Sequence, residues 1–505
     1  MITNVLEYLE ATQALLPDKV AFSDGRDSLT FAQTYRTARL LGSALLERGL
    51  CRQPVLLLMA RHPLQIAAFF GVIYAGCSYV PLDAEMPEAR MELIAATCTS
   101  HVLLYDKKNE KKALSMPFDG LKLCFEDVIA CEVNETLLAE VREEQLDIDP
   151  IYMVFTSGST GVPKGVAACH RSVIDYAENL TSALPFDRDT VFGNQTPLYF
   201  DAPLKEILPT IKLGCTMILI PRMNFLFPGM LCQFIVDQKI NTVCWVVSAL
   251  TMISSLGALE TTPPTTLRLV AFGSEVFPRA QYDLWRAALP DAEFYNLYGP
   301  TEATGMSCYW HADRELSPDE PIPVGRPFRN TQVLLLDKHK RPVPDGKEGE
   351  IYLRGTCVTL GYYNNPEKTK ASFVKNPLQG AYPEYIYRTG DIGKRNEYGE
   401  LVFVCRRDAQ IKHMGHRIEL GEIEAAALRL PGIKTAVCVY DTPRKRIVLY
   451  YSGDGADTEA RAGLSGLVPK YMLPAVCVRM DRLPQTPNGK LDRKKLKETA
   501  ETSAE

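Results

Sequence analysis

No apolar run in the 505 residues reaches the roughly 18 needed to cross a bilayer, so no membrane span is expected. There is no Cys-x-x-C pair among the 14 cysteines, which are scattered through apolar runs such as "NTVCWVV" and "LGCTMIL". That pattern reads as reduced, buried thiols, not as a disulfide framework or a zinc site. The seven histidines, His413 and His416 included, lack metal-ligand spacing and read as surface or loop residues. There is no basic excess: 56 Lys and Arg stand against 61 Asp and Glu, a net charge of −5, which argues against a nucleic-acid partner. The N-terminal "MITNVLEYLEATQALLPDKVAF" carries acidic residues inside its apolar pattern and is no signal peptide; Val5, Leu6, Leu9, Leu15 and Leu16 fit an amphipathic helix. These absences together point to the cytoplasm. No internal repeat is visible.

With 46% apolar and 23% charged residues, the chain has the make-up of a globular protein with a large core. Its length suggests about two to four domains. Strand-like and helix-like segments alternate through the first 400 residues, as in "PVLLLMA" followed by "HPLQIAAFFGVIYAG". Short continuous apolar runs ("HVLLYD", "CTMILIP", "NTVCWVV", "LRLVAFG") suit strands buried on both faces, hence largely parallel sheets covered by helices. The acidic stretch 132–149 reads as a surface segment. Near residue 400 the pattern changes to hairpin strands, a helix, two more strands and a further helix, a small α+β unit of about 100 residues. The expected fold is therefore α/β, with a large N-terminal domain of layered sheets and helices (1–405) and a small, mobile α+β C-terminal domain (406–505).

The most informative loop is "FTSGSTGVPKGV", residues 155–166. It is not a Walker A sequence, because Lys164 follows Pro163 and precedes Gly165. The physical logic is shared all the same. Gly158, Gly161 and Gly165 allow close backbone approach, and the hydroxyls of Thr156, Ser157, Ser159 and Thr160 offer donors beside the Lys164 cation. Such a loop suits an anion with several oxygens, a polyphosphate above all.

The string closely resembles the phosphate loop of the AMP-forming adenylating enzymes, the superfamily of acyl-CoA synthetases, firefly luciferases and the adenylation domains of nonribosomal peptide synthetases. Further motifs similar to that family's follow in order: "AGCSYVPLDAEMP" (75–87), "NLYGPTEAT" (296–304), "YRTGD" (387–391), "RRDAQIKHMGHRIELGEIE" (406–424) and "LPQTPNGKLDR" (483–493). The resemblance covers nearly the whole chain and implies ATP and Mg²⁺ as cosubstrate and cofactor. It places the nucleotide on Thr156, Ser157, Gly158, Ser159, Thr160 and Lys164, on Gly273, Ser274 and Glu275, on Asn296, Tyr298 and Gly299, and on Asp391 and Arg406. Tyr298 can stack on a purine, and Asp391 offers two acceptors to two ribose hydroxyls. Thr301 and Glu302 would meet phosphate and metal, Glu302 as the Mg²⁺ ligand. Lys490 would be the catalytic lysine, stabilising charge as the substrate carboxylate attacks the α-phosphate. Asp408 matches the hinge about which the small domain rotates between half-reactions, and Lys412 a position facing the pantetheine tunnel. One departure is Cys405, where the family has glycine.

The acid activated is read from Asp201, which follows "TPLYF". In the amino-acid-activating branch an aspartate here pairs with the substrate ammonium; the rival reading is a cap for the helix "APLKEILPTI". The resemblance carries the substrate pocket to Asp201, Ala202, Lys205, Trp245, Val270, Phe272, Leu297, Gly305 and Met306. Trp245 and Phe272 would shorten the cavity and favour a small amino acid, D-Ala, L-Ala or Gly. Lys205, if it points inward, favours Glu or Asp instead. A further alternative is an acyl-CoA synthetase acting on a non-amino acid. No carrier stretch follows the catalytic-lysine motif, so the expected partner is a separate phosphopantetheinylated carrier protein, as in the similar D-alanine–carrier protein ligases.

Overall fold

The computed structural model describes residues 2–158, 162–407, 410–454, 457–484 and 491–502. Two large sheets dominate. The first has nine strands, and its central members run parallel: Val20–Ser23, Thr216–Leu219, Val191–Asn194, Thr242–Val246, Leu269–Gly273 and Glu293–Tyr298. The second has seven, with Pro150–Thr156, Ser78–Pro81, Pro54–Leu58, Val102–Tyr105 and Leu121–Cys124 in parallel register. The continuous apolar runs of the sequence become these strands, buried along their length because helices or the other sheet cover them. One large core cluster draws on both sheets, from Phe22, Phe192, Ala271 and Leu297 in the first and Leu57 and Tyr152 in the second.

A five-stranded antiparallel sheet (Thr331–Leu336, Gly349–Gly355, Phe373–Lys375, Tyr385–Arg395 and Leu401–Arg406) follows. Its last strand sets Arg406 opposite Asp391. Beyond it lie a hairpin (Gln410–His413 and His416–Glu419), the helix Leu420–Ala427 and a three-stranded sheet of Ile433–Asp441, Arg446–Gly453 and Val476–Arg479. These elements have their own core around Ile423, Leu449 and Met472. The hairpin turns on Met414 and Gly415, both at positive φ (51° and 78°), the conformation of a two-residue turn that matches strand twist.

The N-terminal helix forms at Leu6–Leu15, burying Leu6, Tyr8 and Leu9. The acidic stretch 132–149 is not wholly a surface segment. It contains the helix Glu135–Glu144, capped by Asn134, whose Leu138 reaches the core. All 14 cysteines are free thiols; most are buried and Cys405 is exposed. Among the described residues no helix is long and apolar enough to cross a membrane.

Candidate active site

Four of the parallel strands of the nine-stranded sheet end at one cleft. Their C-terminal ends deliver Gln195–Pro197 after Val191–Asn194, Val246 at the end of its own strand, Ser274 after Leu269–Gly273, and Gly299–Thr301 after Glu293–Tyr298. The opposite wall is Phe155, Thr156 and Ser157 from the seven-stranded sheet, and the hairpin of the small domain closes the top with Lys412, Met414, Gly415, His416 and Arg417. Ligands collect at such strand ends because backbone N–H groups and loop side chains converge there. Ser274 holds a left-handed φ of 69°, a cost of about 1–3 kcal/mol that sites of this kind carry.

At the cleft floor, Asp201, Ala202, Lys205, Gly305 and Met306 all line the cavity. Asp201 is not a helix cap: the helix Leu204–Leu213 begins after Pro203 without any side-chain cap, and only the Asp201 carbonyl meets it, accepting from Leu204 N at 3.0 Å. Burial raises its carboxyl above the ordinary value, against a hydrogen bond from Thr301 and the charge of Lys205. Lys205, in the first turn of that helix, is 2% exposed. It makes no hydrogen bond or ion pair with the described residues; it acts on Asp201 and Glu206 by charge alone. The Glu206 carboxylate is held by the Asn194 amide, and burial pushes it up to about 8. Lys205 thus lines the cavity without a salt-bridged partner among the described residues.

Glu302 is fully buried beside the phosphate loop. Its Oε1 accepts from the Tyr362 hydroxyl at 2.7 Å and its Oε2 from Arg417 at 2.6 Å. Burial works against its charge, but Arg417, Lys164 and Tyr362 outweigh that and hold it down to about 2. Lys164 extends toward an adjoining cavity lined also by Arg388, Arg406, Arg407 and Arg417. Its Nζ lies 3.5 Å from Glu419 and 5.2 Å from the Tyr362 ring centre. The Ser157 hydroxyl donates to Arg417 O (2.9 Å) and accepts from Glu419 N (3.1 Å); Gly158 N donates to Glu422 Oε2 at 3.0 Å. The Thr156 hydroxyl is buried at the cleft wall without a hydrogen-bond partner among the described residues, a donor suited to an incoming oxyanion.

Asp391 accepts from Tyr298 Oη and from Arg406, each at 2.6 Å. Tyr298 is buried behind the cleft, which Gly299 lines in its place. Lys412 lines the cleft, and burial lowers its pKa, against the nearby Asp391. Gly273 is packed where a Cβ would meet Leu297 O at 2.3 Å. Glu275 accepts from Ser248 N (2.8 Å) and Gly415 N (2.9 Å), so it caps one helix and pins the hairpin. The Asn296 amide donates to Pro323 O at 2.7 Å, away from the cleft.

Four of the residues assigned to the substrate pocket do not line it. Trp245, Val270 and Phe272 point to the far face of the nine-stranded sheet, into a separate core cluster. There the Trp245 indole donates to Gly193 O at 2.6 Å, and Phe272 packs edge-to-face on Phe277. Their strand neighbours Cys244 and Ala271 face the cluster that holds Tyr176 and Met306. Leu297 lies in that cluster without lining the cavity. The expectation that Trp245 and Phe272 shorten the cavity therefore fails on geometry: alternation along a strand sends every second residue to the other face. Ser159, Thr160, Asp408 and Lys490 lie outside the described residues.

A family model for AMP-binding enzymes matches residues 9–363. This chain belongs to the AMP-binding enzyme family. It has a large N-terminal and a smaller C-terminal domain. This AMP-binding enzyme is 33% identical to a linear gramicidin synthase of Brevibacillus parabrevis, over 95% of this chain and 9% of that protein. It is 32% identical to the dimodular nonribosomal peptide synthase of Bacillus subtilis (strain 168), over 98% of this chain and 21% of that one. The chain thus spans only a fraction of the length of the curated relatives it matches. Among solved structures it resembles holo-PA1221, an NRPS protein containing adenylation and PCP domains. The TM-score is 0.84 at 26% identity, over 98% of this chain and 84% of that one.

Several site residues of this AMP-binding enzyme were not singled out in the sequence. Arg417, Glu419 and Glu422 stand inside the motif 406–424, but nothing local says that they reach the phosphate loop. Tyr362 gives no sequence signal. His416 lines the cleft with its ring stacked on Tyr471 at 3.8 Å; burial pushes it down to about 4, so it is neutral near pH 7 and is not a surface histidine. His62, with Asp24 and Asp27, forms a small group within 4.8 Å away from the cleft.

Proposed function

We propose that this enzyme adenylates an amino acid whose side chain carries a carboxylate, and then passes the aminoacyl group to the thiol of a phosphopantetheinylated carrier protein. The observation that carries the reading is the pair Asp201 and Lys205, just before and just inside the start of one helix and both lining the cleft. Asp201 would accept the substrate ammonium. Lys205, buried and without a salt-bridged partner among the described residues, would take the side-chain carboxylate, because a desolvated ammonium gains most from an opposite charge. Glutamate and aspartate fit that pattern. The small-amino-acid reading rested on Trp245 and Phe272, which lie behind the sheet.

In the first step a substrate carboxylate oxygen attacks the α-phosphorus of ATP. The bond to the bridging oxygen breaks, and pyrophosphate leaves with the electron pair. The Thr156 and Ser157 hydroxyls, Gly158 N–H and Lys164 would hold the departing phosphates, and Lys490 would steady the charge on the attacking side. Mg²⁺ would neutralise phosphate charge, and Glu302, ionised at every working pH, has the hard oxygens to hold it. Tyr298 and Arg406 orient Asp391 for the ribose hydroxyls. In the second step the carrier sulfur attacks the acyl carbon, AMP leaves with the electron pair of the broken C–O bond, and the thiol proton goes to solvent. Rotation of residues 406–505 about Asp408 would alternate the two steps. Lys412 in the cleft is consistent with the thiol-accepting arrangement.

The test is Asp201→Ala in ATP–pyrophosphate exchange. Loss of amino-acid-dependent exchange with retained ATP binding is expected. Undiminished exchange, or exchange driven only by acids without an amino group, overturns the reading in favour of an acyl-CoA synthetase.

A further inference from the structure

The helix His170–Ala183 lays a buried stripe of Val173, Tyr176, Ala177 and Leu180 against the core. Phenylalanine would serve the packing at residue 176 equally well, so it is the Tyr176 hydroxyl that needs an explanation. The residue is 2% exposed, and its Oη is buried with no hydrogen-bond partner among the described residues. Folded proteins seldom leave such a group unpaired, because its desolvation then goes uncompensated. Tyr152 also has a buried, unpartnered hydroxyl, but it does not line the cleft; Tyr176 does. Gly305, on the same wall with φ +80°, keeps the ring accessible: a Cβ there would lie 3.3 Å from Tyr176 Cζ and 3.5 Å from its Oη. Burial raises the Tyr176 pKa, and the Cys244 thiol and the Asp201 and Glu206 carboxylates add to that, so the hydroxyl keeps its proton and can donate.

We propose that Tyr176 is a specificity-determining residue whose hydroxyl donates to one oxygen of the substrate's side-chain carboxylate while Lys205 takes the other. The inference rests on the acidic-substrate reading above and narrows it. Tyr176 and Lys205 reach the cavity from two helices, His170–Ala183 and Leu204–Leu213, and each brings a donor without a hydrogen-bond partner among the described residues. A carboxylate accepts on both oxygens and satisfies both donors. A side-chain amide has one oxygen and an NH₂ that would meet a donor, so one group stays unpaired. An alkyl side chain leaves both unpaired. Sites that hydrogen-bond a substrate group reject analogues lacking it far more strongly than apolar pockets do, because the site's own buried groups then lose their partners. Glutamate and aspartate are thus separated from glutamine and asparagine, which have nearly the same shape.

The experiment compares wild type with Tyr176→Phe, each as the full chain. ATP–pyrophosphate exchange is measured with glutamate, aspartate, glutamine and asparagine, and thermal unfolding is followed on the ligand-free proteins. In Tyr176→Phe, kcat/KM for the preferred acid is expected to fall by about 10- to 100-fold, the range of one hydrogen bond to a charged group, and its preference over the matching amide to shrink with it. The Tm of the ligand-free variant is expected to stay level or rise, because an unpaired hydroxyl has been removed from the interior. Weaker use of the acid at equal or greater stability is a combination that a purely structural hydroxyl would not give. An acid preference that Tyr176→Phe leaves intact, equal losses with acid and amide, or a lowered Tm overturns the role of Tyr176 and leaves the acidic-substrate reading standing. Wild-type exchange without preference for the acids over their amides overturns both.

Discussion

Lys205 carries the heaviest burden of any single side chain. A buried ammonium with no hydrogen bond or ion pair among the described residues is costly, and a substrate carboxylate would relieve that cost on binding. Lys205→Met keeps the apolar stem and removes the charge. It is expected to lower kcat/KM for glutamate or aspartate by about 100-fold, the scale of breaking a buried ion pair, and to raise activity with glutamine or methionine. Steady-state exchange kinetics measure this directly; an unchanged ranking of substrates would place Glu206 as its real partner. Glu302 poses a different question. With its carboxyl near 2, no titration of this group is expected in the pH–rate profile between about 4 and 9. Glu302→Gln is expected to cut exchange by about 100-fold and to weaken its Mg²⁺ dependence, read from exchange rates over a magnesium series. The sequence made Asp201, Lys205, Thr301 and Glu302 legible because each sits in a local motif whose chemistry is carried by residue type. Trp245, Val270 and Phe272 were misplaced because a step of one residue along a strand reverses the face, and an all-apolar strand shows no alternation to read.

At the scale of elements, the hairpin Gln410–His413 and His416–Glu419 decides what the cleft can do. Its turn touches the large domain at Gly415, where a Cβ would lie 2.6 Å from Val246 Cγ1 and where φ is +78°. Gly415 N also donates to Glu275. Gly415→Ala therefore disfavours the docked hairpin, by about 1–3 kcal/mol from the backbone alone. Thioester formation is expected to slow by about tenfold or more while pyrophosphate exchange changes little; rapid-quench measurement of the two half-reactions separates them, and equal slowing of both would contradict the role given to the turn. A hairpin near residue 400 was legible as part of the change in pattern there. Its contacts were not. Arg90 and Glu422 are 332 residues apart in the chain, and no local pattern joins them.

For the whole molecule, the alternation of strands and helices pointed to the α/β class, and the shift near residue 400 marked a second unit. What remained hidden was how the pieces meet, because packing between domains follows shape and charge brought together only by folding. One such junction has a pH signature. His170 is buried, and its Nδ1 accepts from Val5 N at 3.1 Å, tying the N-terminal helix to the core. Burial, aided by Arg142, pushes its pKa down to about 3. A histidine held neutral when folded is protonated first in the unfolded chain. Its contribution is therefore complete above the ordinary value near 6.5 and declines as pH falls toward 3, by at most about 1.4 kcal/mol per pH unit. Urea denaturation across that range is expected to show the slope in wild type and a shallower one in His170→Asn; parallel slopes would mean that the acidic loss comes from carboxylates alone.

The measurement that tests the central claim most directly is ATP–pyrophosphate exchange with each of the 20 L-amino acids, D-alanine, D-glutamate, β-alanine and a set of fatty and aryl acids. Exchange dominated by glutamate or aspartate is the expected result and would seat the substrate carboxylate on Lys205. Exchange dominated by alanine or glycine, or by acids lacking an amino group, would contradict it.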